Sequence, residues 1–143
     1  MMLRIQAHLR YGGDFELKVD HEWPLEGVTG LFGRSGCGKT TLLRLIAGLE
    51  RIRGAEVSFG DQHWQQGRQF VPLHRRRIGL VFQEHSLLSH LSVQENLLYG
   101  YKRTPARLRR LHLPEVSAML GIEDLLGRRI DQLSGGQRQR VSL

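Results

Sequence analysis

One cysteine, Cys37, is all that the 143 residues contain, so no internal disulfide can brace the chain. A lone thiol suits a reducing compartment, and a cytosolic setting is expected. No stretch approaches the roughly 18 consecutive apolar residues of a membrane helix. The most apolar segment, Leu42 to Leu49, is interrupted by Arg44. The opening residues, Met1-Met2-Leu3-Arg4-Ile5-Gln6-Ala7-His8, lack the apolar core of a secretion signal. Low-complexity tracts and internal repeats are absent. None of the seven histidines pairs with another at the spacing of H-E-x-x-H, which argues against that type of metal site. What remains is an ordinary globular composition, 40% hydrophobic and 24% charged, long enough to bury a core as one domain.

Charge is unbalanced. Lysine and arginine total 21 against 14 acids, a formal net charge of +7. Only His74-Arg75-Arg76-Arg77 and Arg107 to Arg110 cluster, and neither run is interleaved with aromatics as a single-strand nucleic-acid groove requires. Both read as solvated arginine-rich surface, and no nucleic-acid partner is expected.

Periodicity predicts an α/β chain with strands early and helices late. Leu3, Ile5, Ala7 and Leu9 alternate with polar residues, as do Phe15, Leu17 and Val19. Tyr11-Gly12-Gly13-Asp14 between them reads as the turn of a hairpin. Val28-Thr29-Gly30-Leu31-Phe32 and Ile78-Gly79-Leu80-Val81-Phe82 are short apolar runs, expected as buried strands. A helix is expected from about Lys39 to Leu49, and Val57-Ser58-Phe59 as a strand closed by Gly60-Asp61. Later, Ser92-Val93-Gln94-Glu95 is a capping box, and Thr104-Pro105 and Leu113-Pro114 mark helix starts. Gly121 ends a helix, and Ser134 caps the last one.

Gly33-Arg34-Ser35-Gly36-Cys37-Gly38-Lys39-Thr40 fits G-x-x-x-x-G-K-[ST], set between an apolar run and a predicted helix. Glycines there let backbone N–H groups turn inward as a nest for phosphate, and the helix N-terminus adds partial positive charge. Lys39 supplies a compact point charge, and Thr40 a hydroxyl for Mg²⁺. Only three lysines occur among the 21 basic residues, so a lysine here suits a site too tight for a guanidinium. Chance produces this pattern in roughly one chain of this length in a few hundred. Cys37 occupies a free position and reads as a small filler.

Leu133-Ser134-Gly135-Gly136-Gln137 is rarer, expected by chance in about one chain in several thousand. It forms a second anion site: a serine cap, two glycines permitting close approach, then a helix start.

With both motifs in this order, the chain resembles the ATP-binding subunits of ABC transporters over nearly its whole length. Gly33 to Thr41 looks like their Walker A loop, Gln83 their Q-loop, and Leu133 to Gln137 their signature. The resemblance implies a P-loop NTPase core with an N-terminal antiparallel β-hairpin subdomain and a small helical subdomain, incomplete at the C-terminus. Residues 1–90 are then β subdomain plus P-loop core, 91–132 helical subdomain, and 133–143 the signature and its helix. It implies ATP and Mg²⁺ as ligands. Gly33, Arg34, Ser35, Gly36, Cys37, Gly38, Lys39, Thr40 and Thr41 surround the phosphates, and Tyr11, with Phe15 as alternative, stacks on adenine. Thr40 and Gln83 contact the metal, and Lys39 and Gln83 serve the reaction. It further implies a homodimer in which Leu133, Ser134, Gly135, Gly136 and Gln137 cap nucleotide held by the partner. The subunit would sit against integral-membrane permease subunits, peripheral to the cytoplasmic face of the inner membrane.

Pro72 to Gln83 and Asn96-Leu97-Leu98-Tyr99-Gly100 look most like the molybdate importer ATPases, with sulfate or another solute as the alternative. The family's second acidic strand, its catalytic glutamate and its switch histidine fall past Leu143. A chain without them is expected to be poorly stable and nearly inactive alone, a binding module without turnover. A GTPase is disfavoured: Asp124-Leu125-Leu126-Gly127 matches D-x-x-G, but no N-K-x-D follows. An ABC ATPase acting on DNA or ribosomes is the remaining alternative, against which the short segment from Gln83 to Leu133 speaks.

Overall fold

Alternating apolar and polar side chains build the first hairpin of the computed structural model, which describes residues 1–10, 15–82 and 86–143. Strand β1 (Met2–Arg10) pairs antiparallel with β2 (Glu16–Pro24) along its whole length, from Met2 opposite Pro24 to Arg10 opposite Glu16. The other edge of β1 takes β3 (Glu56–Phe59), with Ile5 opposite Val57. Two short strands follow, β4 (Gln62–Gln66) and β5 (Gln69–Phe70), giving the antiparallel order β2-β1-β3-β4-β5.

Sequence periodicity did not reveal β4, because Gln62-His63-Trp64-Gln65-Gln66 holds a single large apolar side chain. Its signal was the turn instead. Gly60-Asp61 joins β3 to β4 as a two-residue loop, and Gly60 has φ 55°, a left-handed conformation open to glycine at little cost. The register then shifts between Val57 and Ser58, so consecutive residues Trp64 and Gln65 are both buried. The buried Gln65 amide donates to the carbonyl oxygens of Ile52 and Ala55.

Helix α1 (Lys39–Ala47) packs Leu42 and Leu45 against this sheet. Ile5, Ala7, Val57 and Trp64 from the strands, with Ile52 and Ala55, complete the core. Each large aliphatic side chain buried here stabilises by about 1.5–3 kcal/mol relative to exposure. Gly48, at φ 75°, ends the helix, and its amide bonds to Leu45 O at 3.1 Å.

The two apolar runs expected as buried strands are not strands. Val28 is fully exposed and Phe32 is 92% exposed; Val81 and Phe82 are exposed as well. The reason is pairing. A strand needs a neighbour to satisfy its N–H and C=O groups, and among the described residues no strand runs beside either segment. Leu31, Thr29 and Gly30 instead line an apolar cleft of about 270 Å³ with Trp23, Leu42 and Ile46.

The contacts divide the described residues into two units, Met1–Leu80 and Val81–Leu143. In the second, α2 (Val93–Arg103) opens on the expected box: Ser92 Oγ accepts from the Glu95 amide at 3.2 Å, and Glu95 Oε2 accepts from the Ser92 amide at 2.8 Å. Thr104-Pro105 does not start a full helix. Thr104 ends α2, and only a single turn, Ala106–Leu108, follows. Helix α3 (Leu113–Leu120) ends at Gly121 with φ 60°, as the sequence predicts. Helix α4 (Gly135–Ser142) follows. Val93, Ile122, Leu125, Ile130, Leu133 and Val141 form the unit's core. Asn96 holds the segment after residue 85, exchanging hydrogen bonds with the Leu88 amide (2.7 Å) and carbonyl (3.1 Å). Among the described residues no helix is long and apolar enough to cross a membrane.

Candidate nucleotide-binding site

The glycine loop leads directly into α1. Gly36 and Gly38 have φ 78° and 93°, values that side chains with a Cβ rarely adopt. Lys39, the first residue of the helix, folds its ammonium back over the loop. Nζ donates to the carbonyl oxygens of Gly33 and Arg34, each at 2.8 Å, and lies 3.6 Å from Cys37 Sγ. The Cys37 amide closes the turn onto Arg34 O at 3.3 Å.

Space around the loop is tight where the motif has glycine. A Cβ on Gly33 would lie 2.6 Å from Cys37 Sγ. One on Gly38 would lie 3.1 Å from both Phe15 Cζ and Leu17 Cδ1. Phe15 therefore rests against the start of α1. No side chain caps this helix, and no acid occupies its first turn. Its positive end is left for an outside anion, with the Thr40 side chain exposed beside it. Ser35 is exposed, and Thr41 half-buried. The residues fit a phosphate chain: an uncapped positive helix end, one ammonium and a cradle that a Cβ on Gly33 would fill.

The second motif is built differently. Leu133 is 3% exposed and anchors the turn in the second unit's core. Ser134 Oγ accepts from the Gln137 amide at 3.3 Å. Gly135 and Gly136 have nothing within 4 Å of where a Cβ would stand, so their face is open. The turn thus presents bare backbone at a helix N-terminus.

Tyr11 and Gln83 lie outside the described residues. Among the described residues no group of three His, Cys, Asp or Glu could hold a metal ion. One member of the arginine cluster departs from the solvated surface expected of it. Arg76 is 5% exposed, not solvated, and its guanidinium reaches the end of α1. Nothing in the run His74-Arg75-Arg76-Arg77 distinguishes it from its neighbours; the tertiary fold alone selects it.

A glycine loop feeding an uncapped helix, with a lysine turned over it, defines a P-loop nucleotide-binding protein. The chain belongs to the ABC transporter family, whose sequence pattern matches residues 18–143. It is 56% identical over 131 residues to the molybdenum import ATP-binding protein ModC of Hahella chejuensis, covering 92% of this chain and 37% of that protein. The proteins of the same name from Thiobacillus denitrificans and Pseudomonas aeruginosa are 52% and 48% identical, each over 99% of this chain and 39% of their own length. The chain thus spans less than two fifths of these curated relatives.

Proposed function

We propose that the chain carries the phosphate-gripping loop and the signature turn of the ATP-binding subunit of a molybdate importer. The observation that carries this is the Lys39 ammonium held over the loop carbonyls at the uncapped start of α1. Gly33 to Thr41 surround the triphosphate, with the loop amides and Lys39 on the β and γ phosphates. Thr40 and Gln83 contact Mg²⁺, which offsets charge on the phosphate oxygens when bound. Gln83 orients the attacking water. Tyr11 stacks on adenine, with Phe15, at the loop's end, as the alternative. In a homodimer, the open backbone of Ser134 to Gln137 caps the partner's nucleotide, with Leu133 anchoring it. Permease subunits at the cytoplasmic face of the inner membrane receive the work. The likeness to molybdenum import ATP-binding proteins supports molybdenum as the solute element.

The test is a titration of the chain with a fluorescent ATP analogue and Mg²⁺. Lys39→Ala is expected to weaken binding at least about tenfold, as loss of a charge-assisted contact to phosphate should. Equal affinity in the two proteins would sink the reading. Uptake of labelled molybdate by cells with and without the gene that encodes this chain tests the solute, and a difference in sulfate uptake alone would refute it.

A further inference from the structure

Arg76 is a buried cation that the proposed chemistry does not use. Its Nη1 donates to Leu45 O at 2.9 Å and also to Ile46 O, in the last turn of α1. Its Nε donates to Val71 O at 2.7 Å. The guanidinium lies 5.0 Å from the Trp64 ring centroid and 5.5 Å from that of Phe70. Gly48 makes room for it: a Cβ there would stand 2.5 Å from Arg76 Nε. One fork therefore ties the C-terminal end of α1 to the segment after β5, over the rings of Trp64 and Phe70.

Stability alone does not account for such a group. Nη2 is buried with no hydrogen-bond partner among the described residues. Burial pushes the guanidinium pKa down to about 10, still well above neutrality, so a charged group is buried there. An apolar side chain would fill that space without the desolvation cost. It could not donate to the three carbonyls of Leu45, Ile46 and Val71. The helix it holds has nine residues, and its other end is the phosphate loop. At about 1.5 Å per residue, a tilt of about 10° at the clamp moves the loop end by about 2 Å. Displacements of that size are costly wherever binding depends on converging donors.

We infer that Arg76 is a positioning residue for the phosphate loop, clamping the far end of α1 so that the amides after Gly33 and the Lys39 ammonium converge on one point. The inference rests on the nucleotide reading above.

The test compares the full chain with Arg76→Met and Arg76→Lys, reading binding of ATP and of adenosine, and amide hydrogen exchange. Arg76→Met is expected to lose about tenfold in ATP affinity while adenosine affinity stays within about twofold, because only the phosphate cradle has shifted. Exchange at the Cys37 and Leu42 amides should quicken about tenfold, with Ile5 and Ala7 in β1 unchanged. Lysine keeps the charge but not the fork, so Arg76→Lys should fall between. Unchanged ATP affinity in Arg76→Met overturns the inference. So does exchange that quickens equally in β1, the signature of a merely structural role. If Arg76→Met does not fold, Arg76→Lys decides, and a lysine variant indistinguishable from the parent overturns it. A parent chain that binds no ATP sinks the nucleotide reading, and the exchange pattern then judges the clamp by itself.

Discussion

Ser134 and Gln137 cap each other: Ser134 Oγ accepts from the Gln137 amide at 3.3 Å, and Gln137 Oε1 accepts from the Ser134 amide at 2.8 Å. This reciprocal box starts α4 and leaves the two glycines between them bare. Ser134→Ala removes one half of the box and is expected to cost about 1 kcal/mol of stability. Ser134→Asn, which can still cap, should lose little. Thermal denaturation of the three proteins checks this, and an alanine variant melting with the parent would show that the cap contributes nothing.

Cys37 Sγ lies at the mouth of the loop, exposed and 3.6 Å from Lys39 Nζ. Alkylating it places a bulky group where phosphate is proposed to bind. Treatment with N-ethylmaleimide should abolish ATP binding, and bound ATP should slow the modification. Cys37→Ala should bind nucleotide normally and resist the reagent. Full binding after complete alkylation, followed by mass spectrometry, contradicts the proposed site.

Glu95 is held below the usual carboxylate range, first by the Ser92 amide and then by the Ser92 hydroxyl. A carboxyl with a lowered folded pKa adds stability above its unfolded pKa, and that contribution fades as pH falls through the folded value. Acidification below about 4.5 should therefore weaken the start of α2. Circular dichroism from pH 7 to 3 should show a shallower acid transition in Glu95→Gln than in the parent. Glu16 is lowered as well, chiefly by the hydrogen bond from His8, so part of the transition should persist. Identical acid curves would remove the capping box from the account.

Leu45 is fully buried and Leu43, two residues earlier on α1, is 49% exposed. Leu45→Ala should cost about 2–5 kcal/mol, whereas Leu43→Ala should stay within about 0.5 kcal/mol. Chemical denaturation distinguishes them, and equal midpoints would mean that α1 does not seat on the sheet by this face.

The site motifs were legible because they are local. A glycine at φ 93° followed by a lysine and a threonine specifies its own turn and helix start, whatever packs around it. The capping box at Ser92 and the serine cap at Ser134 were legible for the same reason: the partners lie three residues apart. The hairpin β1–β2 was readable from alternation, since each face of its strands differs in polarity.

Non-local features were not readable. Val28 to Phe32 has the composition of a buried strand, yet a strand exists only where another chain segment offers a ladder. The bulge that buries both Trp64 and Gln65 arises from register against β3, which period-two reasoning cannot foresee. Arg76 is indistinguishable from Arg75 and Arg77 as text. Only the fold brings it beneath α1.

By itself, then, the sequence determined the glycine turn into α1, the turn at Ser134 and the caps at Ser92, Ser134 and Gly121, because those depend on dihedral preferences and bonds spanning a few residues. Tertiary structure alone decided which apolar runs became strands and which arginine was buried, because pairing and burial are set by residues far away in the chain.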